Sequence, residues 1–75
     1  MQKAIVGDRV VRHDGQKYTS SEGWTLDEGD VAVVVDVDDK EGGFKLRNPK
    51  GEATRNFKIR AHYKYVEEST NLFQF

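Results

Sequence analysis

Histidine and serine side chains are the groups of this chain best suited to acid–base or nucleophilic chemistry. His13 precedes Asp14, His62 stands apart, and Ser20 and Ser21 are adjacent. A catalytic triad needs a serine, a histidine and a carboxylate at one place, and no spacing here favours that arrangement. The sequence also lacks the glycine-flanked serine of a nucleophile elbow. We therefore predict that the chain is not an enzyme and that its histidines lie on the surface.

Carboxylates crowd one predicted turn, at Asp36, Asp38, Asp39 and Glu41. Clustered oxygens bind hard cations, but a calcium loop needs a glycine and a final glutamate at fixed offsets, which these residues do not provide. Cysteine is absent, so thiolate ligands are excluded. Glycine-rich phosphate-binding motifs are absent as well. We expect neither a metal nor a cofactor.

Aromatic and arginine side chains are the candidates for binding a partner. Aromatic side chains supply much of the binding energy of interfaces, and arginines pair with carboxylates. We predict a protein or peptide ligand, of acidic character, and a non-catalytic binding module as the function. The predicted contacts are Tyr18, Trp24, Arg47, Arg55 and Tyr63. For Trp24, packing as a lid over a small core is an equally favoured alternative.

Two further binding modes remain open at the same residues. Tyr63 and Tyr65 could join Trp24 in an aromatic cage for a cation such as methylated lysine, although packing is favoured for them. A nucleic-acid-binding barrel is the main alternative function, because basic and aromatic residues interleave in the second half of the chain. The residues of that half are Arg47, Arg55, Phe57, Lys58, Arg60, Tyr63 and Lys64.

Net charge weighs against general nucleic-acid binding, since it is −1 for the whole chain. The charge is polarised, however. Residues 1–39 carry four basic against nine acidic side chains, and residues 40–64 carry eight basic against two acidic ones. Such a division would steer a charged partner.

Length and composition place the chain among small intracellular domains. Its 75 residues suffice for one domain. Cysteine is absent, and neither a signal peptide nor a membrane span occurs, so we expect a cytoplasmic location and no membrane partner. We place a single domain at residues 1–68 and a tail at 69–75. Pairing of the apolar tail residues Leu72, Phe73 and Phe75 with another chain would make the protein a structural subunit, which is a third candidate function.

Short strands separated by glycine-rich turns are the elements that must position these side chains. We predict strands at Arg9–Arg12, Val31–Asp38 and Phe44–Arg47, with Val31 and Val33 facing the core. Asn48-Pro49-Lys50-Gly51 reads as a tight turn. The polar segment 13–29 reads as a long loop that is either functional or folded back as an irregular hairpin.

The second half is predicted to hold two more strands, at 52–57 and 63–66, with a short helical turn at Arg60-Ala61-His62 between them. Phe57 and Ile59 would share a face. Five short strands of this kind cannot cover both faces of an open sheet, so closure into a barrel is expected. The fold class is therefore all-β, a small five-stranded barrel with a long first loop.

The order of these parts resembles an SH3-like barrel. That resemblance implies an alternative for the central strand, with Ala32 and Val34 rather than Val31 and Val33 facing the core. Within that fold, Gly7-Asp8-Arg9-Val10-Val11-Arg12 resembles the opening segment of the Mind bomb/HERC-type (MIB/HERC) domain of ubiquitin ligases. Val33-Val34-Val35-Asp36-Val37 is similar to its central strand. Asn56-Phe57-Lys58 followed by Lys64-Tyr65 is similar to its closing half. The resemblance implies a substrate-recruiting module that binds a peptide or protein.

Overall fold

The structure, a computed structural model, describes residues 4–40 and 42–66. The described part of the chain contains six strands, one 3₁₀ turn and no α-helix, which confirms the all-β class. The strands are β1 (Arg9–Arg12), β2 (Tyr18–Thr19), β3 (Thr25–Leu26), β4 (Ala32–Val37), β5 (Phe44–Arg47) and β6 (Tyr63–Tyr65), with the 3₁₀ turn at Arg60–His62 before β6. The tail predicted at 69–75 lies outside the described residues.

Two antiparallel sheets make up the fold. One has four strands in the order β5-β4-β1-β6, and the other pairs β2 with β3. The described residues form six strands rather than the predicted five. The long first loop folds back as the hairpin β2–β3, one of the two expectations for it, and adds two strands, whereas the strand predicted at 52–57 does not form. The four-stranded sheet does not close on itself within the described residues. Its edges are β5 and β6.

The core lies between these sheets and is filled mainly by residues that alternate along the strands. Phe44 and Leu46 are fully buried, as their alternation predicted. The buried apolar residues are Ala4, Val10, Trp24, Leu26, Ala32, Val34, Phe44, Leu46 and Tyr63. The rings of Phe44 and Tyr63 meet edge to face with centroids 5.6 Å apart, which joins β5 to β6 across the core.

Strand β4 corrects one prediction. Ala32 and Val34 face the core and are fully buried, whereas Val31 and Val33 are only half-buried. The pairing with β5 shifts by one residue between Val34 and Asp36, so Val35 is the extra residue of a β-bulge. A bulge reverses the alternation, and Val37 therefore packs against the core although it shares the parity of the outward-facing Val33. Asp36 and Asp38 share the parity of Ala32 and Val34, so the alternation alone marks that face as the polar one; the bulge at Val35 separates the two halves of the strand.

The turn at Asn48 forms as predicted. The Gly51 N–H donates to the Asn48 carbonyl at 2.9 Å, and Gly51 has a φ of +88°, which favours glycine. The Asn48 side chain is buried: its Nδ2 donates to the Thr25 carbonyl at 2.8 Å, and its Oδ1 accepts the Glu52 N–H at 2.9 Å. Asn48 thereby ties this turn to β3 of the other sheet.

Residues 52–59 differ from the prediction of a strand at 52–57. Only isolated bridges join this segment to β5, at Ala53 with Arg47 and at Lys58 with Phe44. Phe57 is 42% exposed and Ile59 is 61% exposed, so these two side chains do not enter the core. The segment borders the β5 edge and then enters the 3₁₀ turn, which was predicted. No helix among the described residues is long and apolar enough to cross a bilayer.

Candidate functional site

An open groove of about 590 Å³ lies between residues 57–61 and β6. Its apolar and aromatic lining comes from Phe57, Ile59, Tyr63 and Tyr65. Lys58, Arg60 and Asp38 supply the charged groups, and Gly42 and Gly43 border it at the turn before β5. The groove therefore follows the open side of the four-stranded sheet, between the segment that borders β5 and the other edge strand.

Backbone hydrogen bonds hold the groove in shape. Lys58 exchanges two of them with Phe44, at 2.7 and 3.1 Å. Gly43 permits this approach, because a Cβ at that position would lie 3.0 Å from the Lys58 carbonyl oxygen. The 3₁₀ turn then redirects the chain, and the Tyr63 N–H donates to the Arg60 carbonyl. The two-residue period of β6 places the Tyr63 and Tyr65 side chains on the same face.

Cations stand over the aromatic rings at the groove. Lys45 Nζ lies 4.9 Å from the centroid of the Phe57 ring, and the Arg60 guanidinium carbon lies 5.9 Å from that of Tyr65. Each position is within the range of a cation–π contact. The groove thus combines exposed apolar surface with positive charge.

A smaller pocket of about 260 Å³ lies at the other side of residues 57–59, next to Arg12, Tyr18 and His62. The Arg12 guanidinium carbon lies 4.5 Å from the centroid of the Tyr18 ring and 5.2 Å from that of Tyr63. An arginine of the chain itself therefore occupies the cation position between two of its aromatic rings. Arg12 faces Tyr63 directly in the β1–β6 register, which accounts for this placement.

Two tyrosine hydroxyls at the groove are buried without a hydrogen-bond partner among the described residues, those of Tyr63 and Tyr65. Burial raises the pKa of Tyr63 above its ordinary value, and the neighbouring Arg12 guanidinium opposes that rise. A buried hydroxyl without a partner costs about 1–3 kcal/mol. The Arg12 guanidinium beside the Tyr63 hydroxyl offsets part of that cost.

Glu22, from the loop between β2 and β3, fixes the segment that carries Phe57. Its carboxylate accepts the Arg55 backbone N–H at 2.9 Å and the Asn56 Nδ2 at 2.9 Å, and Lys58 Nζ lies 3.7 Å away. The Arg55 N–H is the main cause that holds the pKa of Glu22 below its ordinary value, and the charge of Lys58 adds to it. The first loop thereby positions one wall of the groove.

The structure places the five predicted contact residues in three regions. Tyr63 lines both the groove and the smaller pocket, and Tyr18 lines the smaller pocket. Trp24 is only 4% exposed, belongs to the core, and has its ring centroid 6.3 Å from that of Tyr18. Arg47 and Arg55 are exposed and lie outside the groove lining, but Arg55 lines a third pocket, of about 200 Å³, together with Trp24. Ligand contact by these residues stays a prediction.

The Trp24 indole Nε1 donates to the Glu52 carbonyl at 2.7 Å, which fixes the ring in the core. Of the cage proposed for a methylated lysine, only Tyr63 and Tyr65 line the groove, and Trp24 does not. The tryptophan is thus placed as the lid of a small core, the alternative that the sequence left open.

Ile59, Arg12 and Glu22 are important residues that the sequence did not single out. One feature of the sequence pointed to Ile59: it was predicted to share a face with Phe57 in a segment of mixed charge. No feature pointed to Arg12, because its role depends on facing Tyr63 across two strands that are distant in the sequence. No feature pointed to Glu22 either, since its partners lie 33 and 34 residues further along the chain.

No family model matches the chain, no curated protein matches it, and no solved structure matches it.

Proposed function

We propose that this chain is a non-catalytic protein- or peptide-binding module built on an SH3-like barrel, with a substrate-recruiting role such as MIB/HERC-type domains have. The observation that carries the proposal is the open groove of about 590 Å³ between residues 57–61 and β6. Concave sites with mainly apolar walls and a few polar groups are typical of binding sites.

Exposed apolar side chains support a macromolecular ligand. Ile59 and Phe57 are 61% and 42% exposed, and both line the groove. Complete burial of such a side chain contributes about 1.5–3 kcal/mol. A partner that covers Ile59 and Phe57 would gain much of this free energy, and a peptide is long enough to cover both.

Charge favours an acidic partner. Lys58 and Arg60 line the groove, Lys45 stands over Phe57, and Asp38 is the one acidic residue among the described lining residues. Lys58 already lies beside Glu22, which leaves Arg60 and Lys45 as the cations for a ligand. Charged groups of this kind speed association and select against basic partners.

The resemblance to MIB/HERC-type domains agrees with this location. Its closing motif consists of Asn56-Phe57-Lys58 and Lys64-Tyr65, and three of these residues, Phe57, Lys58 and Tyr65, line the groove. Part of the motif that suggested the family therefore lies where a groove ligand would bind.

A library of synthetic acetylated and amidated nonapeptides tests the proposal. Each peptide carries two glutamates followed by phenylalanine or leucine at alternate positions, and a matched library has lysine in place of glutamate. We expect the full chain to bind members of the acidic library only. Ile59→Ser should weaken the tightest of them by about tenfold, which corresponds to about 1.4 kcal/mol.

Ile5→Ser is the matched control, since Ile5 is 63% exposed and lies outside the groove. It should leave affinity within about twofold, a difference of less than 0.5 kcal/mol on the same scale. Equal losses for both variants would contradict the groove as the site. Binding of short single-stranded DNA, with no peptide bound, would favour the nucleic-acid alternative instead.

A further inference from the structure

The outer edge of β6 carries backbone groups that have no backbone partner among the described residues. In the β1–β6 register, Val66 N–H donates to the Arg9 carbonyl and His13 N–H donates to the His62 carbonyl. Hydrogen-bonded pairs alternate in an antiparallel ladder, so Lys64 pairs with Val11 in the same way. Tyr63 and Tyr65 therefore direct their N–H and C=O groups away from β1.

One of those four outward groups has a partner in the described part of the chain. The Tyr63 N–H donates to the Arg60 carbonyl. The Tyr63 C=O, the Tyr65 N–H and the Tyr65 C=O have no backbone partner among residues 4–40 and 42–66. An edge with free donors and acceptors is a template for another strand.

We propose that an extended acidic segment of a partner protein adds as an antiparallel strand to the outer edge of β6 and places its alternate apolar side chains in the groove. The proposal rests on the proposed function and specifies how the peptide is held. Strand addition takes affinity from main-chain hydrogen bonds and specificity from pockets for alternate side chains.

Geometry links the edge to the groove. A ligand residue opposite Tyr65 would accept the Tyr65 N–H and donate its own N–H to the Tyr65 C=O. The ligand residue two positions further on would donate to the Tyr63 C=O. Directly opposite residues of antiparallel strands point to the same face, so both ligand side chains lie on the face of Tyr63 and Tyr65. That face is the one that lines the groove.

Basic side chains beside β6 favour acidic residues in the added strand. Lys64 is exposed on the opposite face of β6 from Tyr63 and Tyr65, and Arg60 lies at the start of the turn before β6. Cations on both faces of an edge disfavour a basic strand and attract carboxylates. A nucleic acid has no backbone amides to continue the ladder, so the free edge favours a polypeptide.

Peptide N-methylation tests the mode of binding separately from the site. The tightest acidic nonapeptide of the library is synthesised with a single N-methyl group at each position in turn. We expect affinity to fall by about tenfold or more at two positions separated by one insensitive position, because a methyl group removes a donor and blocks the approach of the strands. Side chains are unchanged in this series.

Hydrogen exchange of individual amides gives a second readout on the full chain. The Tyr65 amide should exchange freely without peptide and at least about tenfold more slowly with it, because exchange requires an open hydrogen bond. The Lys64 amide points toward β1 and serves as the internal control, protected in both states. A Tyr65 amide that is already protected in the free chain would overturn the proposal.

A pair of variants removes the edge donor from the protein. Tyr65→Pro deletes the outward N–H and leaves the ladder to β1 intact, which edge strands tolerate. Tyr65→Ala is its control, since it removes the same ring and keeps the N–H. We expect the proline variant to bind the acidic nonapeptide about tenfold more weakly than the alanine variant.

The peptide could bind in the groove without adding a strand to β6. In that case Ile59→Ser would lower its affinity and no N-methyl group would change it, which would overturn strand addition and leave the groove as the peptide site. Absence of binding by every peptide of the acidic library would overturn both.

Discussion

At the scale of single residues, burial favours a core role for Trp24. Its ring is buried, and its indole N–H is bonded to the Glu52 carbonyl, which also accepts the Asn48 N–H at 2.9 Å. A small domain with one tryptophan depends on it for a large part of its core. For 75 residues the whole free energy of unfolding is about 4–11 kcal/mol.

Trp24→Ala is therefore expected to destabilise the protein by about 3–5 kcal/mol, a large part of its free energy of unfolding. Trp24→Phe should lower the stability less, since the phenyl ring fills most of the volume of the indole and the Glu52 carbonyl keeps its hydrogen bond from the Asn48 N–H. Urea unfolding followed by far-UV circular dichroism measures both variants. An alanine variant as stable as the parent chain, with peptide binding lost, would show instead that Trp24 is a surface anchor.

Glu22 makes stability depend on acid pH. The Arg55 N–H and the charge of Lys58 hold its pKa below the ordinary value of 4.5 in the folded chain. A carboxyl with a lowered folded-state pKa binds fewer protons folded than unfolded, so its contribution is present above pH 4.5 and is lost as pH falls through the folded value.

We expect Glu22→Gln to be less stable than the parent chain at pH 7 and the difference to shrink below about pH 4.5. Urea unfolding at pH 7, 4 and 2.5 measures it. Glu28→Gln is the control, because Glu28 is an exposed carboxylate of the same loop region. A difference that is independent of pH would mean that the carboxylate charge is not what holds residues 55–58.

At the scale of elements, the approach of Gly43 to Lys58 sets the groove wall. A Cβ at Gly43 would lie 3.0 Å from the Lys58 carbonyl oxygen and 3.4 Å from the Phe57 Cβ, so the segment would have to move. Two backbone hydrogen bonds between Phe44 and Lys58 resist that movement. These backbone hydrogen bonds thus hold the wall together with the Glu22 carboxylate.

Gly43→Ala should destabilise the protein by about 1–3 kcal/mol through overpacking, and it should shift the amide resonance of Lys58. Gly42→Ala is the matched control: its cost comes from a φ of +78°, since nothing lies within 4 Å of the added Cβ. Proton–nitrogen correlation spectra with thermal melts separate the two. A Lys58 resonance that moves equally in both variants would contradict a wall set by Gly43.

At the scale of the whole molecule, two charged halves meet at an open sheet. The positive half of the sequence, residues 40–64, contributes the segment that borders β5, and the first loop contributes Glu22 to hold it. The edges of the sheet are β5, which residues 53–58 partly cover, and β6, which no described residue covers with a strand. Recognition is therefore proposed at the uncovered edge, where aromatic rings and cations also lie.

Local patterns in the sequence determined much of this protein. Strands β1 and β5, the turn at Asn48–Gly51, the 3₁₀ turn and the last strand follow from β-branched residues, alternation and turn chemistry, which act over a few residues. The core positions Phe44 and Leu46 follow from the same alternation.

Tertiary structure decided the rest, because it depends on how distant strands pair. The face of β4 that enters the core depends on a bulge against β5, and the position of Arg12 between Tyr18 and Tyr63 depends on the β1–β6 register. Ile59 is exposed because its segment meets β5 only at isolated bridges. The register between strands that are dozens of residues apart is set by long-range contacts, so the local periodicity of the sequence does not predict it.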